Sequence, residues 1–430
     1  MTAAFPVPPE LAGHPFFQYR NNVLYAEDVP LDHLAEKLGT PLYVYSRAAL
    51  KAAWETYRSA IGQRPVQVCY GMKANSNLAV LKEFARLGAG FDIVSGGELK
   101  RALAVGADPA RIVFSGVGKQ AWEMRAALAA GVMGFNVESE AELQRLSDVA
   151  QDMGLRARVS LRVNPDVDAQ THPYISTGLK ENKFGIPIGA ALDAYRSARL
   201  LPGLEITGLD CHIGSQLTDI SPYFDALEKL LDLVDDLDGI GIRLSHLDLG
   251  GGLGIRYRDE VPPSPKALLD HVFQRLQARG QGHLQLVLEP GRSLVGNAGV
   301  LLTTVQYLKH GEARNFAIVD AAMNDLLRPA LYDAWHGLRP LRPRAGDTLE
   351  YDVVGPVCES ADWLARQRAL ALEQSDVLAL ESAGAYGMTM AGNYNTRPRA
   401  AEVMVDGDRY HVVRQRETLD DLLRGESTLP

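Results

Sequence analysis

Between about residues 45 and 300 the chain repeats one phrase: a short apolar run, a turn rich in Gly, Ser, Asn or Asp, then an amphipathic helical stretch. Eight runs carry it: VQVCYG ending at residue 71, FDIVSGG (91–97), RIVFSG (111–116), FNVES (135–139), VSLRVNP (159–165), EITGLDCHIG (205–214), RLSHLDLGGG (243–252) and LQLVLEPG (284–291). Apolar runs of this length bounded by turn residues read as strands. Because they are apolar almost throughout, both faces of their sheet are covered, which means parallel strands. Their ends lie roughly 20–45 residues apart, the spacing of βα units. Eight such units in about 250 residues predict an α/β fold, a closed (β/α)₈ barrel. An open doubly wound sheet is the competing reading.

The helix starts are chemically marked. Ser95 and Glu98, and Ser139 and Glu142, have the spacing of capping boxes. Ser221-Pro222 and Ser264-Pro265 place a Ser at the cap and a Pro in the first turn.

After about residue 300 the texture changes. NFAIVDAAM, TLEYDVVGPVC, DVLALES and AEVMVDGDRYHVVR read as strands, the last with Asp406-Gly407 as a hairpin turn. Helical repeats fade, so a second, all-β domain is expected. NNVLYAEDVPL (21–31) is strand-like and precedes the barrel, so it is expected to join that β-domain. The resulting division is an N-terminal segment 1–44 packing with the β-domain, a barrel 45–300, and a C-terminal β-domain 301–430.

Composition adds limits. The chain has 430 residues, 46% of them hydrophobic, and a formal charge of −9. That is globular composition, and the acidic balance argues against nucleic acid or an anionic membrane as partner. No apolar run approaches the ~20 residues of a membrane-spanning helix. The N-terminal MTAAFPVPPELAGHPFF lacks the basic-then-apolar layout of a secretory signal. Cys69, Cys211 and Cys358 are odd in number and far apart, which fits a reducing cytoplasm and no cysteine-based metal cluster.

In a (β/α)₈ barrel, chemistry sits at the C-terminal ends of the strands. The first strand is followed by Lys73, the sixth by His212 and Ser215, the seventh by Gly250-Gly251-Gly252, and the eighth ends in Glu289-Pro-Gly291-Arg292. A lysine in an apolar barrel mouth has its ammonium disfavoured, and a neutral amine condenses with aldehydes; a lone lysine also serves as a solvated surface group. Three glycines let backbone N–H groups close on a phosphate, or simply make a tight turn. Glu289 ends an apolar strand and needs a cation, which Arg292 or a protonated heterocyclic nitrogen could supply. His212 is a flat stacking partner or a core histidine. An amine, an anion cradle and a carboxylate for a pyridinium together describe pyridoxal phosphate.

YGMKANSN (70–77), FDIVSGGEL (91–99), HIGSQ (212–216), LDLGGGLGI (247–255), EPGR (289–292), RPALY (328–332), CES (358–360) and GAYG (384–387) resemble the bacterial diaminopimelate decarboxylases, members of the alanine-racemase-like, fold-type III group of pyridoxal phosphate enzymes. NPDVDAQTHPYISTGLKENKFGI (164–186) is similar to that family's loop after the fifth strand. The resemblance spans about residues 20–415 and keeps the family's motif order.

It implies decarboxylation of meso-2,6-diaminopimelate to L-lysine and CO₂, the last step of lysine biosynthesis. Lys73 resembles the cofactor-bearing lysine and His212 the ring-stacking histidine. Ser215, Gly250, Gly251, Gly252 and Gly291 resemble phosphate ligands, and Glu289 the pyridinium partner. Arg292, Arg328 and Tyr332 resemble binders of the substrate's distal carboxylate, and Glu359 the reader of its distal ammonium. Cys358 resembles the proton donor, and Tyr386 a residue near both phosphate and substrate. The family places Cys358 and Glu359 in a neighbouring subunit's site, which implies a homodimer with shared active sites. No metal is implied. Taken alone, Cys358 also reads as a small buried hydrophobe, and Arg328 and Tyr332, four apart on one helical face, as a surface Arg and a packed Tyr. Arginine, ornithine and carboxynorspermidine-type decarboxylases share the Lys, His, GGG and EPGR motifs, and a non-catalytic pyridoxal-binding homologue is the remaining alternative.

Overall fold

The computed structural model describes residues 10–168, Gly178 and 182–430. Residues 1–9 and most of the 164–186 segment matched to the family loop lie outside the described residues. The chain forms two compact units, one of Ala53–Ile255 with Val261–Leu294, the other of Met1–Ala52, Arg256–Glu260 and Val295–Pro430.

In the first unit each apolar run becomes a strand. In chain order they are Val66–Gly71, Gly90–Ile93, Ile112–Phe114, Gly134–Val137, Ala157–Asn164, Leu204–Asp210, His246–Asp248 and Gln285–Leu288. Neighbours pair in parallel, and the eighth returns to the first through Leu286–Val66, Val287–Gln67 and Leu288–Val68, closing an eight-stranded barrel. Closure explains the apolar sequence: side chains on one face fill the barrel and those on the other pack against helices. Tyr70 lies 4.4 Å from Phe84 between ring centroids, and Phe114 and Phe135, on adjacent strands, stack at 5.9 Å.

The helices start largely where the sequence marks them. Ser95 Oγ accepts the Glu98 N–H at 3.2 Å and Ser139 Oγ the Glu142 N–H at 3.3 Å. Each Glu reaches one residue further back than a capping box does, to the N–H of Val94 (2.7 Å) and of Glu138 (2.9 Å). Ser264 caps Pro265–Ala278. Ser221 does not cap: it is the first residue of Ser221–Gly239, and Asp219 accepts both its N–H (2.9 Å) and its hydroxyl (2.8 Å). A carboxylate two residues upstream outcompetes the serine's own hydroxyl for that turn.

The second unit is all-β apart from short helices. Its large sheet runs Trp363–Leu370, Leu349–Val354, Asn315–Val319, Gly299–Lys309, Leu42–Ser46, Ala401–Asp406, Arg409–Arg414, with Val377–Leu380 also on the long Gly299–Lys309 strand and Leu338–Pro340 beyond it. Asp406 pairs with Arg409 across Gly407-Asp408, and Gly407 takes φ +66°, the left-handed geometry such a hairpin demands. The N-terminal contribution to the sheet is Leu42–Ser46, antiparallel to Gly299–Leu302 and parallel to Ala401–Val405. The 21–31 segment instead forms a three-stranded meander with Phe17–Arg20. Leu24, Leu42, Val44, Val300, Leu302, Ala379 and Val403 share one core, so apolar residues from Leu11 to Val44 are folded into the same cluster as strands of the C-terminal part.

Candidate active site

Six barrel strands bring polar side chains to one end of the barrel. The second contributes Asp92, the fourth Asn136, the fifth Arg162, the sixth Asp210, the seventh Asp248, and Glu289 follows the eighth; all are buried. The parallel register sets Asp210 beside Asp248, and the carboxylates of Asp210, Asp248 and Glu289 lie within 4.8 Å of one another. Asn136 Nδ2 donates towards both Glu289 Oε1 (3.2 Å) and Asp248 Oδ2 (3.4 Å), and Ser115 Oγ reaches Glu289 Oε1 at 3.3 Å. Among the described residues no Lys or Arg side chain pairs with Glu289.

Three carboxylates this close in a dry place resist ionising together. Burial, then Asp248, Asp92 and Asp210, push the Glu289 carboxyl well above the usual range. Asp210 is raised in the same way, and burial pushes Asp248 up to about 6 despite the Gly250 N–H at 2.8 Å. Arg162 is committed to Glu138 at 2.8 Å.

Asp248 makes the apoprotein pH-sensitive. Its folded pKa of about 6 exceeds the ordinary 3.8, so folding takes up a proton between those values. Its contribution to stability is full below about pH 4 and is lost as pH rises through 6, a change of about 3 kcal/mol at most. Urea denaturation of apoprotein at pH 4, 5, 6 and 7 is expected to show Asp248→Asn gaining on the parent chain as pH rises. A difference constant with pH would contradict this.

Lys73 sits on a short 3₁₀ turn, Met72–Ala74, directly after the first strand. The apolar mouth expected around it is instead lined by a carboxylate: Asp92 Oδ2 lies 3.1 Å from Nζ, and the Lys73 side chain is 43% exposed. Asp92 Oδ1 and Asp210 Oδ1 accept no hydrogen bond among the described residues.

His212 follows the sixth strand. Its Nδ1 accepts the Gly251 N–H at 3.2 Å, which leaves any ring proton on Nε2. Desolvation, then the Arg162 and Lys73 charges, hold its pKa well below the ordinary value, so it offers a neutral flat ring. Gly251 cannot carry a side chain: a Cβ there would stand 2.2 Å from the Glu289 carbonyl oxygen. Gly252, at φ +119°, would drive one to within 2.6 Å of the Gly214 carbonyl and the Tyr223 hydroxyl. Side-chain-free backbone of this kind lets N–H groups come close to an anion; in this structure the Gly250 and Gly251 N–H groups donate to Asp248 Oδ1 and His212 Nδ1. Arg292 donates from Nε (3.3 Å) and Nη2 (3.0 Å) to Ser215 Oγ, joining those two residues. Gly251→Ala is expected to weaken pyridoxal phosphate binding by at least about tenfold, because its Cβ would push the Glu289 backbone aside, read as cofactor dissociation followed by absorbance. An unchanged affinity would remove the glycines from phosphate binding.

The remaining candidates lie in the β-unit. Arg328 opens the helix Arg328–Tyr332, with Pro329 in its first turn. It is buried, its Nη1 lies 2.8 Å from His336 Nε2, and its guanidinium lies 4.7 Å from the Tyr257 ring centroid. Tyr332 is half-buried. Cys358 is exposed, unlike the buried Cys69 and Cys211, and its N–H donates to Asn395 Oδ1 at 2.9 Å. Glu359 accepts the Tyr394 hydroxyl at 2.6 Å. Tyr386 holds φ +54°, a strained conformation for a non-glycine residue and one that clusters at working sites.

Sequence reasoning reached many residues after the strands but missed those inside them, Asp92, Asn136, Asp210 and Asp248, and Ser115 just past the third. The available signal was a single polar residue at the C-terminal end of each apolar run, as in FDIV, FNVE and HLDLG.

A neutral ring, a backbone cradle, an amine and a buried carboxylate that pairs with no Lys or Arg among the described residues fit a phosphorylated pyridine aldehyde, and define a pyridoxal-phosphate barrel enzyme. Residues 47–296 match the family model described as pyridoxal-dependent decarboxylase, pyridoxal binding domain. A diaminopimelate decarboxylase of Pseudomonas aeruginosa is 60% identical over 414 residues, covering 96% of this chain and 99% of the relative. The crystal structure of diaminopimelate decarboxylase from Helicobacter pylori complexed with L-lysine is 43% identical with a TM-score of 0.88, covering 92% of this chain and 98% of that one. That from M. jannaschii in co-complex with L-lysine is 38% identical with a TM-score of 0.92, covering 97% and 99%. The chain belongs to the pyridoxal-dependent decarboxylases and, within them, to the diaminopimelate decarboxylase family.

Proposed function

We propose that this chain converts meso-2,6-diaminopimelate to L-lysine and CO₂, acting as a cytoplasmic homodimer. The observation that carries the reading is Glu289: a buried carboxylate that, among the described residues, pairs with no Lys or Arg side chain, at the barrel end that also holds Lys73 and the glycine cradle. A cationic ring nitrogen satisfies it.

Pyridoxal phosphate, when bound, supplies an electron sink for the pair left behind as CO₂ departs. Lys73 would hold its aldehyde carbon, and Asp92, 3.1 Å away, is placed to take or return the lysine's proton. His212 would cover one ring face without adding charge. Glu289, crowded by Asp248 and Asp210, gives up its own proton more readily once a cation stands against it. Ser215 and the backbone of Gly250, Gly251, Gly252 and Gly291 would hold the phosphate, with Tyr386 beside them.

For the substrate's distal end, Arg292, Arg328 and Tyr332 supply the carboxylate's partners and Glu359 the ammonium's. Arg matches a carboxylate in bidentate fashion. The thiol of Cys358, contributed by the neighbouring subunit, or the Lys73 amine would return the final proton, and the exposure of Cys358 within its own unit is compatible with that role.

Purified protein given pyridoxal phosphate and meso-diaminopimelate is expected to release lysine and CO₂ in equal amounts. Release of agmatine from arginine or putrescine from ornithine instead would overturn the substrate assignment. Arg328→Met is expected to lower kcat/KM for the dicarboxylic substrate by about 10²–10⁴-fold, because a site built for hydrogen bonds rejects what leaves it unpaired. Its residual activity on a simple amino acid should be little changed. Equal losses on both would make Arg328 structural.

A further inference from the structure

Within the β-unit a cavity of about 240 Å³ is lined by Arg256, Arg258, Arg339, Arg368, Trp335, Glu381 and Glu10, among others. Four guanidiniums therefore face two carboxylates, in a chain whose formal charge is −9. Both carboxylates are engaged: Glu381 binds Arg339 at 2.9 Å, and Glu10 contacts His14 at 2.8 Å. Among the described residues Arg256, Arg258 and Arg368 form no pair with a carboxylate. Among the described residues the Arg256 side chain donates to two backbone carbonyls, those of Arg258 (3.4 Å) and Glu10 (3.3 Å).

Arg368 is the most telling of them. It is 8% exposed, on the strand Trp363–Leu370. Its Nη2 donates to the His336 carbonyl at 3.0 Å, while its Nε meets no acceptor among the described residues. A buried guanidinium without a counter-anion is costly. The strain is visible in its acidity: burial first, then the Arg258 charge, brings Arg368 down to about 10. Arg258 lies 4.6 Å from the Trp335 ring centroid, and Arg368 also stacks on that ring, so the indole sets the two planes of donors in place.

We propose that this pocket binds a small multivalent oxyanion of the phosphate class. Forked guanidinium donors match the paired oxygens of phosphate, and a dianion answers more than one uncommitted cation. The indole is already stacked by guanidiniums, which disfavours an aromatic ligand. The concave pocket and the acidic chain around it disfavour a nucleic-acid backbone.

The test uses holoenzyme saturated with pyridoxal phosphate, so that the barrel's own glycine cradle is filled. Inorganic phosphate is titrated at fixed ionic strength against a chloride control, by calorimetry and thermal melting, for the parent chain, Arg258→Met and Arg368→Met. Arg258 is exposed, so its replacement leaves the fold intact even where Arg368→Met does not fold. The expected result is saturable binding of one phosphate per chain, absent with chloride, and at least tenfold weaker in Arg258→Met. Equal binding by parent and Arg258→Met would overturn the proposal, as would a chloride response equal to that of phosphate. An acidic group from a second copy as the true occupant would appear as a change of oligomeric mass in Arg258→Met with phosphate binding unaltered, which also overturns it. The readout is binding, so it stands whether or not the decarboxylase assignment does.

Discussion

Replacing Lys73 with alanine is expected to end CO₂ release, lowering kcat/KM by on the order of 10⁴-fold or more, the scale of losing a covalent catalyst. The protein should still fold. Lys73 is 43% exposed on a short turn, so truncation opens no core cavity, and the strand pairing of Val66–Gly71 does not depend on it. Circular dichroism and the melting temperature would confirm that. Lys73→Arg separates chemistry from electrostatics: a guanidinium still faces Asp92 but cannot condense with an aldehyde, so it should be as inactive as alanine. Substantial activity in Lys73→Arg would mean that the lysine serves as a charge and not as a nucleophile.

The second large effect belongs to Glu289. Glutamine there keeps the shape and an acceptor for Ser115 Oγ and Asn136 Nδ2, but it cannot become an anion. The expected loss in kcat is about 10²–10³-fold, comparable to removing one preorganised electrostatic contact in a dry site. Attachment of the cofactor to Lys73 should persist, since the substitution leaves Lys73 and its Asp92 partner in place. The predicted pattern is therefore a slow enzyme with covalently attached pyridoxal, in contrast to Lys73→Ala, which has no covalent link to it. An unchanged kcat would make Glu289 a structural carboxylate satisfied by its neutral neighbours.

The barrel was legible because closure demands what the sequence displays: eight short apolar runs, each ended by residues that turn a chain into a helix. Leu42–Ser46 escaped notice for the opposite reason. LYVYS is buried at every position, has no alternation, and pairs with strands more than 250 residues later, so nothing local marks it. Arg256–Glu260 belongs with the β-unit while lying between barrel elements, and no change of texture announces that either.

The same logic divides the site. Lys73, His212, the three glycines and Glu289 were readable because unusual residue types follow strand ends. Asp92, Asn136, Asp210 and Asp248 were not, because one polar residue in an apolar run is ordinary. Only the ring of strands brings carboxylates from positions 210, 248 and 289 to within 4.8 Å. The environment of Lys73 was misjudged on the same grounds, since Asp92 reaches it from the adjacent strand. The clasp of Arg328 by His336 depends on a turn whose course the intervening residues do not reveal.

The most direct measurement is borohydride reduction of the protein with pyridoxal phosphate, followed by proteolysis and mass spectrometry. A single pyridoxyl group on the peptide containing Lys73, lost when an excess of substrate is added before reduction, is the expected outcome. A label on any other lysine, or none at all with cofactor in excess, would contradict the account.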